Sequence, residues 1–164
     1  MSNQNPDWQE IPDPHAPTLR RLAARWGEQR TNADIPLSIH CRLQDESDLL
    51  HWIMLIAVDN QANAYRRYDL KSRFIGDAVA QYFGIDVGQE WRMSEIGPPF
   101  ADRWFGVGDR VLARRTPCSF QGSPYLTGFD FTHFEMLVLP YSSDGSAIDV
   151  LLAAFDMSMR RQEP

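Results

Sequence analysis

Leu19, Leu22, Ala23 and Trp26 recur at i, i+3, i+4 and i+7, which places them on one stripe of a helix, with Arg20, Arg21, Arg25 and Glu28 around the rest. Thr18 stands where it can cap that helix, which is expected to run to about Gln29 or Arg30. Pro36 blocks any continuation, and residues 36–48 read as an irregular link with a polar, acidic end. Leu49–Val58 is an almost unbroken apolar run, short, rich in branched residues and closed by the turn signal Asp59-Asn60. That pattern predicts a strand buried on both faces. Tyr68, Leu70, Ser72 and Phe74 then alternate with Arg67, Asp69, Lys71 and Arg73, the period of a strand over 64–74 with one wetter face. The two runs predict an antiparallel hairpin, with Leu50–Val58 central and paired to both Ala64–Phe74 and Ala147–Phe155.

Asp77 can cap a short helix with Val79, Tyr82 and Phe83 on its inner side, and Gly84 sits where a left-handed C-terminal residue belongs. Residues 84–100 read as a loop, with a turn of helix near Trp91. Ala101–Arg115 is helical by pattern, with Trp104, Phe105, Val111 and Leu112 on the apolar side and Gly106 and Gly108 weakening its middle. Three strands follow, over Pro117–Gln121, Phe129–Leu139 and Ala147–Phe155, the last two joined by the turn Tyr141–Ser146. The order predicts an α+β fold: a five-stranded antiparallel sheet with helices inserted between its second and third strands and a flanking N-terminal helix. Residues 1–17, with four prolines, read as a flexible arm, docking of Trp8 and Ile11 being the alternative, 18–157 as a single domain and 158–164 as a tail.

Composition narrows the class. Hydrophobic residues at 43% supply a core for 164 residues, which excludes disorder along the whole chain. A net charge of −6 argues against a nucleic-acid binder. All but one of the basic residues are Arg, Lys71 being the exception, and no function follows from that bias. Cys41 and Cys118 are too few and too far apart for a secreted disulfide scaffold. No apolar stretch approaches the roughly 20 residues that cross a bilayer, and the N-terminus has no signal-peptide pattern. A cytoplasmic protein with reduced thiols is expected, without membrane or nucleic-acid partners.

Three segments carry a resemblance. They are Arg73-Phe74-Ile75-Gly76 with Tyr82-Phe83-Gly84-Ile85-Asp86-Val87-Gly88; Arg115-Thr116-Pro117; and Phe134–Pro140 with Ser142-Ser143-Asp144-Gly145 and Ile148–Leu152. In order and spacing they resemble a small bacterial family of stand-alone PAS-like proteins over roughly residues 18–156. The region 37–49 departs from the family pattern, and Tyr141 stands where Leu is more usual. The resemblance implies a sensory or signalling module that works by protein–protein contact, as a homodimer or beside a partner such as a histidine kinase, with or without an unknown small molecule in its core. It implies no catalytic residues.

The residues suggest no reaction either. Ile39–Gln44 is similar to the cysteine segment of flavin-binding light-oxygen-voltage PAS domains, but Cys41 lies before the first strand instead of on the helix after the second. His15, His40, His51 and His133 stand on neither inserted helix, where a haem ligand would be placed, and with the two cysteines they show no metal-ligand spacing. No cofactor or metal is expected. Gly106-Val107-Gly108 lacks the third glycine and the βαβ setting of a dinucleotide loop. His133 and Glu135 share a strand face and read as a surface ion pair. The aromatic residues carry more weight: Met54, Tyr68, Phe83, Trp91, Phe105, Phe134 and Met136 are expected around a core cavity, with the Tyr68 hydroxyl and Trp91 indole able to orient a ligand. A core filled by the same side chains, serving a constitutive scaffold, is the competing reading, and an enzyme using the cavity is a third. Leu19, Leu22 and Trp26, with Leu151 and Phe155, are the expected interface residues of a dimer.

Overall fold

The computed structural model describes residues 8–30, 34–61, 66–86, 90–97, 100–122 and 133–157. Its fold is α+β, built on one antiparallel sheet with six strands among the described residues. These are β1 (Gln9–Ile11), β2 (Ile53–Asp59), β3 (Asp69–Ile75), β4 (Cys118–Gly122), β5 (Phe134–Tyr141) and β6 (Val150–Asp156), in the order β1-β4-β5-β6-β2-β3. Helix α1 (Pro17–Gln29) precedes β2, and α2 (Asp77–Phe83) and α3 (Phe100–Arg114) lie between β3 and β4.

The expected pairing of the apolar runs is present. β2 lies between β3 and β6 and is antiparallel to both, with Met54 opposite Ile75 on one side and Ala153 on the other. The strand begins at Ile53, however, and Leu43–Trp52 forms 3-10 turns with a kink at Glu46. Gly76 marks the reason for the late start: its amide donates to the Ile53 carbonyl at 2.7 Å, and a Cβ there would overlap the carbonyl oxygens of Leu50 and His51. The chain leading into β2 therefore folds against the β3–α2 corner, and only a residue without a side chain fits between them. Asp77 and His51 are hydrogen-bonded across the same corner.

The helix starts also differ from expectation by one or two residues, α3 beginning at Phe100 instead of Ala101. α1 begins at Pro17 with Ala16 as its cap, because proline is preset for the first helical turn and lacks the N–H that would go unpaired. α2 is capped by Gly76, which puts the Asp77 carboxylate in the first turn, near the positive end of the helix dipole. Gly84 ends α2 at φ 67°, the left-handed conformation expected there. The turn after β5 is held by Ser142, whose hydroxyl accepts from the Gly145 amide at 2.9 Å, with Gly145 at φ 82°.

The reading of residues 1–17 as a flexible arm is corrected over Trp8–Ala16. β1 joins the free edge of β4, with Gln9 opposite Gln121 and Ile11 opposite Ser119, and so adds the sixth strand. The chain then crosses to α1, where the Glu135 carboxylate accepts the amides of His15 and Ala16 at 2.6 and 2.8 Å and meets the His15 ring at 3.0 Å. Glu135 is thus engaged by the segment ahead of α1, and His133 lies just before β5 and is exposed. The rest of the expected arm and tail, 1–7 and 158–164, and the expected strand residues 129–132 lie outside the described residues.

Register assigns the faces. Phe134, Met136 and Val138 of β5 share a face with Leu151, Ala153 and Phe155 of β6 and Met54 and Ile56 of β2. α2 and α3 cover that face. Leu137, Leu139, Leu152 and Ala154 point the other way, and α1 covers them with Leu19, Leu22 and Trp26 buried. The expected interface is corrected accordingly. The α1 stripe is spent on its own sheet, and Leu151 and Phe155 lie on the opposite side, under α2 and α3. β6 is apolar on both faces, so its alternation carried no mark of which side meets which helix. Among the described residues no helix is long and apolar enough to cross a membrane.

Candidate functional site

Aromatic side chains from four elements and from Trp8, just ahead of β1, meet above the inner face at the β1–β4–β5 end of the sheet. Phe134 (β5) and Phe155 (β6) form the floor, with ring centroids 5.6 Å apart. Phe83 of α2 stands over both, at 5.8 and 5.5 Å. Phe100 and Trp104 of α3 close a further side, Phe100 at 5.9 Å from Phe83 and Trp104 at 6.3 Å from Phe155. The last wall comes from the N-terminus. The Trp8 ring enters between Trp104 (5.2 Å) and Phe134 (5.3 Å), edge-on to each. Trp8 is 5% exposed. Its entry needs Gly122 on β4, where a Cβ would come within 2.7 Å of Trp8 Cδ1.

The walls of this chamber carry two buried indole donors. The indole N–H groups of Trp8 and Trp104 are buried and meet no acceptor. Leaving such a group unpaired costs about 1–3 kcal/mol, so two in one aromatic cluster mark a place where an acceptor is wanted. Arg103 lies on the same side, its guanidinium 5.9 Å from the Trp8 ring.

The seven residues expected around a cavity all contribute to the inner face or its rim, but they do not form one ring. Phe83 and Phe134 belong to the chamber, and Met54 and Met136 are fully buried on the inner sheet surface. Tyr68 and Phe105 make a separate pair, 5.8 Å apart. The Tyr68 hydroxyl donates to Asp109 at 2.6 Å and lies 3.2 Å from the Phe105 carbonyl, so it is already used. Burial, then the Asp109 carboxylate, drives its pKa far above the ordinary tyrosine value. Gly108 gives α3 room to pass this hydroxyl, which accounts for a glycine in mid-helix: a Cβ would lie 2.7 Å from it. Trp91 sits at the outer edge of β3, where its amide donates to Ser72 Oγ at 3.1 Å and its carbonyl accepts the Ser72 amide at 3.0 Å. Its indole N–H is buried without an acceptor, like those of Trp8 and Trp104. In the sequence, docking of Trp8 and Ile11 ranks behind a flexible arm because they stand in a polar, proline-rich stretch with no periodicity.

A second depression lies on the other face, between α1, residues 40–46 and the sheet. Leu22, Ile53, Leu139 and Leu152 floor a cleft of about 20 Å³, and Arg25, Cys41, Glu46 and Tyr141 rim it. That is room for about one water molecule. Arg25 is held by Glu46 and, at 3.0 Å, by Asp45, and the Tyr141 hydroxyl donates to Gln29 at 2.9 Å. Burial pushes the Cys41 thiol up to about 11, against the opposing pull of Arg25. The thiolate is the reactive form, so Cys41 is a poor nucleophile at neutral pH. Alkylation of native protein by iodoacetamide at pH 7.5 is expected to be on the order of 10²-fold slower at Cys41 than in urea, where the thiol has its ordinary value near 8.5. The native rate should keep rising tenfold per pH unit to about pH 10. Peptide mapping by mass spectrometry separates Cys41 from Cys118, and a rate already at its plateau by pH 8 would show an activated thiol instead.

Among the described residues no group of three or more His, Cys, Asp or Glu side chains is arranged to hold a metal ion. No family model matches the chain, and neither a curated protein nor a solved structure matches it.

Proposed function

We propose that this chain is a PAS-like sensory module, which relays state through contact with a protein partner and takes a small molecule between its sheet and its inserted helices. The observation that carries the reading is topological. Strands β2, β3, β4, β5 and β6 follow the order β4-β5-β6-β2-β3, with α2 and α3 inserted between β3 and β4 and folded over one face. That is the arrangement the family resemblance implies, with β1 as an addition at one edge. The chamber under the helices supports small-molecule recognition, since apolar walls with a few polar groups are what such sites present. A non-catalytic role agrees with thiols held protonated by burial at both cysteines. Under this reading the protein is cytoplasmic, and its partners are a second copy of itself or a signalling protein such as a histidine kinase.

A specific observation favours the competing reading, a constitutive scaffold: Trp8 fills the chamber, and its ring contacts leave the cluster closed. Native mass spectrometry of the purified protein separates the two. The sensory reading expects a retained small molecule or a mass shift when cell metabolites are added, together with a self-associated or partner-bound species. A bare monomer under every condition, with no added mass, removes that reading and leaves the scaffold.

A further inference from the structure

We propose that Trp8 is a built-in competitor: the chamber it fills is a site for a flat bicyclic aromatic molecule carrying a hydrogen-bond acceptor, and entry of that molecule frees β1 from β4. The inference rests on the small-molecule reading above and adds the ligand class and the response. Its first support is the pair of buried donors. Trp8 occupies the chamber in shape but offers no acceptor to Trp104, whose side chain is 0% exposed and whose N–H stays unpaired. A molecule with the outline of an indole and an oxygen or ring nitrogen facing Trp104 makes the same ring contacts and adds the missing bond.

The second support is how lightly β1 is held. It is three residues long and lies at the sheet edge. Ile11 is its buried side chain, while Gln9 and Glu10 reach β4 and α3 at the surface, through Gln9 to Gln121 at 3.2 Å and through Glu10 to Arg114 and, at 3.6 Å, Arg110. Surface ion pairs contribute little. Trp8 and Ile11 are therefore the buried anchors of the segment, Trp8 much the larger, and a molecule that takes the place of Trp8 removes that larger anchor and releases the strand. β4 is then left as a free edge, able to pair with another chain. A ligand shifts such an equilibrium only by its preference for one state, and here the preference is built in, because ligand and Trp8 exclude one another.

Quinoline and naphthalene, matched in outline and differing in one ring nitrogen, are suitable probes for the full-length chain. Hydrogen exchange read by mass spectrometry should show saturating quinoline deprotecting residues 8–11 and 118–122 of the wild type while β2 and β6 keep their protection. Trp8→Ala should bind quinoline at least about tenfold more tightly, since the competitor is gone. In that background quinoline should exceed naphthalene by about tenfold, and adding Trp104→Phe should remove the difference. Should Trp8→Ala not fold, Trp8→Phe gives a smaller gain in the same direction, and the wild-type exchange result decides by itself. The proposal fails if wild type and Trp8 variants bind neither probe, if bound quinoline leaves β1 protected, or if both probes bind Trp8→Ala alike, as they would to any truncation cavity. Failure here with a molecule or partner retained in native mass spectrometry would remove the role of Trp8 and leave the sensory reading standing.

Discussion

A chain carrying both Leu22→Ala and Trp26→Ala is expected to lose at least about 5 kcal/mol of folding stability and to keep the oligomeric state of the wild type. Both side chains are buried against the chain's own sheet. Leu22 packs over Ile53, Leu139 and Leu152, and the Trp26 indole donates to the Pro140 carbonyl at 2.7 Å. Truncating a buried Leu costs about 2–5 kcal/mol and a buried Trp about 3–5. The two are one helical turn apart, so their effects will not simply add. A loss of this size is a large part of the total stability of a domain, typically about 5–15 kcal/mol. Urea unfolding should therefore show a much lower midpoint, or a partly unfolded chain in water. Ile39→Ala, at a position 77% exposed, is the control and should stay within about 0.5 kcal/mol. Light scattering reads the other arm. A variant that stays folded and dissociates from a wild-type dimer would show that the α1 stripe serves an interface instead of its own sheet.

The second large effect is expected at Trp104. Trp104→Ala should cost about 3–5 kcal/mol, because the side chain is fully buried and loses edge contacts with Trp8, Phe100 and Phe155 together. Trp104→Phe should cost less than about 1.5 kcal/mol. It removes volume but also removes a buried donor with no acceptor, and that second change is favourable. The comparison reads the orphan donor directly. If the indole N–H were satisfied, the phenylalanine variant would forfeit a hydrogen bond as well as volume and would fall close to alanine. Midpoints from urea titrations with unchanged slopes give both values.

Such tests matter because the chamber was only half visible in the sequence. Local chemistry alone determined much of the frame. The 3.6-residue stripes of Leu19–Trp26 and of α3 required helices. The two-faced apolar runs over Leu49–Val58 and Ala147–Phe155 required interior strands, and strands from Ile53 and Val150 lie side by side inside the sheet. Gly84 required a left-handed helix end and Tyr141–Ser146 a turn, and Gly84 and Gly145 both adopt positive φ. Each of these signals sits within one or two turns of chain, where periodicity or a single backbone preference is enough.

Tertiary structure decided the rest. A three-residue strand has no period to read, so β1 exists because the β4 edge was open and Trp8 found an aromatic pocket far along the chain. Leu151 and Phe155 could not be assigned a face from a strand that is apolar on both. Only the placement of α1 on one side and α2 and α3 on the other made them core instead of interface. Tyr68 looked available to a ligand until α3 brought Asp109 and the Phe105 carbonyl to its hydroxyl. The physical division is one of range: turns, stripes and alternation are properties of neighbouring residues, whereas which face is inward, which donor is satisfied and what fills the chamber depend on groups that only folding brings together.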